Sequence, residues 1–67
     1  MVDRERVKQL MLEIAERFGF DLHDDDELMD LWKVLLDDHP DLSSLYWDEV
    51  FGLRDAIVNE IENIKEL

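Results

Sequence analysis

DDDELMDLWKVLLDD, residues 24–38, carries both patterns that organise this chain. Leu28, Leu31, Trp32 and Leu35 recur at the three- and four-residue spacing that lines one face of an α-helix, with Met29 and Leu36 on the flank. On a wheel turning about 100° per residue, Glu27, Asp30, Val34, Asp37 and Asp38 fall together on the other side. That side is a ridge of one charge sign interrupted by a valine. Asp24 or Asp25 is the expected N-cap, and the remaining early carboxylates sit favourably at the positive end of the helix dipole. His39 precedes Pro40 and is thereby kept out of the α region, so the helix should stop near Asp38. Asp37 and Asp38 then lie at the negative end of the dipole, where carboxylates weaken a helix. Local stability does not account for them, and that shifts the reading toward binding.

Upstream, Val7, Leu10, Met11, Ile14 and Phe18 keep helical phase, with Ala15 beside them, and predict a helix from about Arg4 to Phe18. Asp3 is its expected N-cap, Gly19 its left-handed C-terminal stop, and Glu13 with Arg17 an i, i+4 pair on its surface. Phe20 and Leu22 should fold back under the helix end. Downstream, Asp41-Leu42-Ser43-Ser44 reads as a turn or short 3₁₀ segment, with Ser43 or Ser44 capping a third helix that reaches about Glu66. Tyr46, Val50, Leu53, Ile57, Ile61 and Ile64 form its stripe, and Gly52 predicts a bend or break unless a neighbour needs the space. Trp47, Phe51 and Val58 widen the apolar arc around Arg54 beyond one contact seam. The C-terminal half of this long helix is therefore expected to want a second covering. The fold class expected is all-α: a small three-helix bundle, one domain over residues 1–67. Its core should draw on Val7, Leu10, Ile14, Phe18, Leu28, Leu31, Trp32, Leu35, Val50, Ile57 and Ile61.

Composition narrows the function. With 67 residues and no cysteine, the chain is near the lower size limit for a core held without staples. Its 46 % apolar content arrives in periodic blocks, which argues for a folded chain despite a net charge of −12. No apolar run suggests a membrane span or a signal peptide, so a soluble cytoplasmic protein is the expectation. Residues 21–49 hold eleven of the carboxylates against Lys33 alone, whereas residues 1–20 are balanced. A halophile's solvated surface would spread the charge evenly. The concentration repels nucleic acid and anionic membranes and favours basic partners.

Asp21-Leu22-His23-Asp24-Asp25-Asp26 crowds potential metal ligands together. An EF-hand loop needs Gly at its sixth position and Glu at its twelfth, where the register from Asp21 offers Asp26 and Trp32 and that from Asp37 offers Leu42 and Asp48. Neither register fits, His23 and His39 lack helical ligand partners, and no metal or cofactor is expected. Asp41-Leu42-Ser43-Ser44-Leu45 resembles the phosphopantetheine attachment turn of acyl carrier proteins, also small, acidic and helical; the resemblance implies Ser44 as the modified residue. That family's motif is Asp-Ser-Leu, whereas Ser43 precedes Ser44 here, and too little chain follows for the family's remaining helices. A carrier is kept as the minor alternative. With no cysteine, phosphate loop or Ser–His pairing, and too small a chain for a deep pocket, an enzyme is not expected.

The resulting expectation is a protein-binding module that masks a basic surface of a nucleic-acid-binding partner. Carboxylates at i, i+3 and i+4 stand about 5–6 Å apart at Cβ, comparable to the scale of phosphates along a strand. Glu27, Asp30, Asp37, Asp38 and Asp41 would pair with Lys or Arg, and Val34 or Trp47 would supply an apolar anchor. The alternative is a homodimeric assembly protein joined through Trp47, Phe51, Val58 and Ile64, its acidity serving only solubility.

Overall fold

Residues 2–65 are described by the computed structural model, the side chain of Lys65 excepted. They form three helices, α1 (Arg4–Phe18), α2 (Asp25–Asp38) and α3 (Trp47–Lys65), with a 3₁₀ helix (Pro40–Ser44) between the last two. This is the all-α three-helix bundle that the periodicity predicts.

The ends of α1 and α2 follow local chemistry. Asp3 accepts hydrogen bonds from the backbone N–H groups of Glu5 and Arg6, and Asp24 from those of Asp26 and Glu27. Gly19 takes φ 75°, and the Phe20 N–H donates to the Ala15 carbonyl at 2.9 Å, which closes α1. α2 ends at Asp38, just ahead of Pro40. Glu13 and Arg17 do not pair; among the described residues the cations within ion-pairing distance of carboxylates are Lys8 and Arg54.

α3 departs from expectation at both its start and its middle. Ser43 and Ser44 belong to the 3₁₀ helix and do not cap it; Tyr46 stands at the N-cap position, its carbonyl accepting from Glu49 and Val50. A tyrosine ring cannot reach the free amides of the first turn. Glu49 supplies the other half of a capping box instead, its Oε2 accepting from the Tyr46 N–H at 3.2 Å. The helix also runs unbroken through Gly52, and a Cβ built there would meet nothing within 4 Å. Neither a break in the helix nor a crowding neighbour accounts for this glycine. The expected end at Glu66 lies outside the described residues.

α1 packs against both α2 and α3, while α2 and α3 stay farther apart and meet through side chains. Arg4 and Glu5 share a groove with Asp48 and Glu49, and Leu12 and Glu16 share another with Val58 and Glu62. α1 and α3 therefore run in the same direction, with α2 antiparallel to both. Val7, Met11, Leu28, Leu31, Leu35, Val50 and Ile57 are fully buried. Each contributes roughly 1.5–3 kcal/mol of transfer free energy, offset by the entropy of ordering the chain. Trp32, Ile14, Ala15, Leu22, Leu42 and Leu53 complete the interior. Two expected core residues, Leu10 and Ile61, are half-buried, and Phe18 is 57 % exposed. Phe18 has the phase of the stripe, but as the last residue of α1 it runs off the end of the core and packs on Phe20, ring centroids 5.9 Å apart.

Candidate protein-binding surface

α2 turns its apolar face, Leu28, Leu31, Trp32 and Leu35, into the core. The opposite face is thereby fixed in space, and Asp30, Asp37 and Asp38 are exposed on it, with Glu27 and Val34 half-buried among them. Val34 packs against the core from the side, so it is a rigid apolar point within the charged ridge.

Subtracting the acids that have structural work sharpens the site. Asp24 caps α2, and Asp25 accepts from Arg54 Nη1 at 2.9 Å. Asp26 and Glu27 occupy the first turn, where the dipole favours them. Among the described residues, Asp30, Asp37 and Asp38 enter no ion pair, and no basic residue lies in the last turn of α2 to offset the last two.

Two of the chain's cations, Lys8 and Arg54, are engaged elsewhere; Lys33, exposed on α2 between Asp30 and Asp37, is within ion-pairing distance of no carboxylate among the described residues. Lys8 is 8 % exposed and lies between Glu60, 2.8 Å from its Nζ, and Glu5, at 3.1 Å. Its hydrogen bonds to Glu60 and then Glu5 raise its pKa above the ordinary lysine value. Arg54 donates from Nη1 to Asp25 and to the Leu22 carbonyl, and from Nε to Asp55 at 2.8 Å. Burial opposes its charge, but its hydrogen bonds to Asp25 and Asp55 outweigh that and raise its pKa. Neither residue was legible as a tie from local pattern, since Lys8 and Glu60 are 52 residues apart. The only local sign was a base flanking an apolar stripe.

The other expected contact residues divide among different faces. Asp41 is exposed on the 3₁₀ helix, in a groove shared with Asp3 and Arg6. It does not lie on α2 and so is not part of the ridge. Asp25, bonded to Arg54, marks the flank of α2 that faces α3, and the ridge residues lie between about 120° and 180° around the helix from it. Trp47 packs on Phe51, centroids 6.2 Å apart, with Arg54 over the Phe51 ring at 5.4 Å. Trp47 thus belongs to the α3 flank, and of the two residues expected as an apolar anchor it is Val34 that shares the ridge. Of the self-association set, Phe51 and Val58 are half-buried against their own core, while Trp47 is 43 % and Ile64 70 % exposed.

Among the described residues, no three His, Asp or Glu side chains converge where a metal ion could sit, and no helix is long and apolar enough to cross a membrane. Ser44, which the carrier resemblance singles out, is exposed at the end of the 3₁₀ helix and not at the start of α3. Comparison with protein-family models, characterised proteins and solved structures gives no match to this chain.

Proposed function

We propose that this protein is a non-catalytic binding module whose α2 ridge masks a basic surface of another protein, a nucleic-acid-binding one, as inhibitor, adaptor or nucleic-acid mimic. One observation carries the reading: Asp30, Asp37 and Asp38 are held outward on a helix whose reverse face is locked in the core, and they lack ion pairs among the described residues. A rigid row of carboxylates offers charge-assisted, bidentate sites to arginine without further ordering cost. Direct binding to nucleic acid or to an anionic membrane runs against the net charge of −12.

The test uses an arginine-rich peptide loaded with a fluorescent oligonucleotide. The wild-type protein displaces the oligonucleotide at low salt and less so at high salt, because exposed charge pairs are screened. Absence of displacement at low salt removes the proposal. Homodimerisation through α3 is the second reading, favoured by the exposure of Trp47 and Ile64. It predicts that Phe51→Glu abolishes a concentration-dependent dimer and leaves displacement intact.

A further inference from the structure

Arg54 meets Asp25, the first residue of α2, so the part of α3 beyond Arg54 runs past the end of α2. There α1, from Lys8, which is bonded to Glu60, to its last turns, and the segment between α1 and α2 flank it. A groove of about 310 Å³ opens between them, floored by Leu12, Phe20, Val58 and Ile61. All four are half-buried, packed on the core from one side and open on the other. Exposed Glu16, Asp21 and Glu62, with His23, stand around this apolar floor; among the described residues no Lys or Arg lines it and none of the three carboxylates is ion-paired.

We infer that this groove is a second docking site, and that its occupant is a cationic amphipathic helix of a partner protein, one leucine- or phenylalanine-sized side chain entering the groove and flanking Lys or Arg meeting the rim. Charge selects this occupant over a second copy. A two-fold pairing through the groove brings Glu16, Asp21 and Glu62 of one molecule against the same residues of the other, on chains each carrying −12. A basic helix converts the same rim from repulsion to attraction. The groove volume lies at the small end of natural binding sites, which suits a single anchoring side chain rather than a whole ligand. The site lies on a different face from the α2 ridge and does not depend on it.

The experiment titrates the protein with a roughly 15-residue helical peptide that has Leu at i, i+3, i+4 and i+7 and Lys elsewhere. One control peptide replaces Leu by Ala, another Lys by Glu. Methyl NMR of the wild-type protein should show saturable shifts at Leu12, Val58 and Ile61. The Leu→Ala peptide should bind about tenfold or more weakly, the scale of burying one leucine-sized anchor, and the Glu peptide not at all. Ile61→Lys should cost a similar factor with far-UV circular dichroism unchanged; if that variant does not fold, the wild-type methyl map and the two control peptides decide alone. Asp30→Asn/Asp37→Asn/Asp38→Asn should leave this affinity within about twofold, as distant sites do, which separates the groove from the ridge. Unmoved groove methyls, equal binding of the Leu and Ala peptides, or concentration-dependent groove shifts without peptide would overturn the assignment, the last by showing a second copy in the groove.

Discussion

Arg54 Nη1 stands 2.9 Å from Asp25 Oδ1, and the same nitrogen is 3.0 Å from the Leu22 carbonyl, so one guanidinium joins α3 to the start of α2 and to the segment before it. α2 and α3 do not approach closely along their backbones, so this side chain adds to the shared core of Leu28, Leu31, Leu35, Val50, Leu53 and Ile57 in joining them. Arg54→Met should destabilise the protein by about 1–3 kcal/mol, since it leaves a part-buried carbonyl without its donor. Asp25→Asn, at an exposed carboxylate, should cost less than about 1 kcal/mol. Urea titrations with unchanged m-values measure both.

Gly52 lies inside α3 with a negative φ and open space where its Cβ would be. Gly52→Ala should therefore stabilise the fold by about 0.5–1 kcal/mol, through helix propensity and a less flexible unfolded chain. In a domain of this size that corresponds to a rise in Tm of roughly 2–8 °C. A fall in Tm would mean the position is constrained by something α3 does not show.

Lys8 gives the fold a pH dependence of defined sign. Its pKa is raised in the folded state by Glu60 and Glu5, so its contribution is complete below the ordinary value of 10.5 and is lost as pH rises through the higher folded value. Thermal melts of the wild type should lose stability above that pH. Lys8→Met, which keeps the packing of the stem and removes the charge, should flatten that part of the profile.

How far the sequence could be read depended on the range of the interaction. Asp3, Asp24, Gly19 and the stop before Pro40 were legible because a cap or a proline acts within a few residues of itself. The ridge was legible because the periodicity that buries Leu28, Leu31, Trp32 and Leu35 fixes where Asp30, Asp37 and Asp38 must point. The start of α3 was misplaced because Ser43 and Ser44 are good caps in isolation. The 3₁₀ helix takes them, and Glu49 reaches back from inside α3 to complete the cap. Phe18 shows the limit of phase as a guide: it has the right angle around α1 but packs on Phe20 at the helix end and stays 57 % exposed. The Lys8–Glu60 and Arg54–Asp25 ties, and the groove beyond Arg54, arise from how whole helices are staggered, which no local pattern encodes.

The ridge makes a prediction in which binding and stability move in opposite directions. Asp37 and Asp38 enter no ion pair among the described residues and sit at the negative end of the α2 dipole, so neutralising them should help the fold, by about 0.3–1 kcal/mol. The measurement that bears most directly on the proposed role is a pair of readings on Asp30→Asn/Asp37→Asn/Asp38→Asn: calorimetric affinity for an arginine-rich peptide at low salt, and Tm. The expected result is affinity lowered by about tenfold or more, with Tm unchanged or higher. Affinity equal to wild type in a folded variant would contradict the claim that this face of α2 is a binding surface.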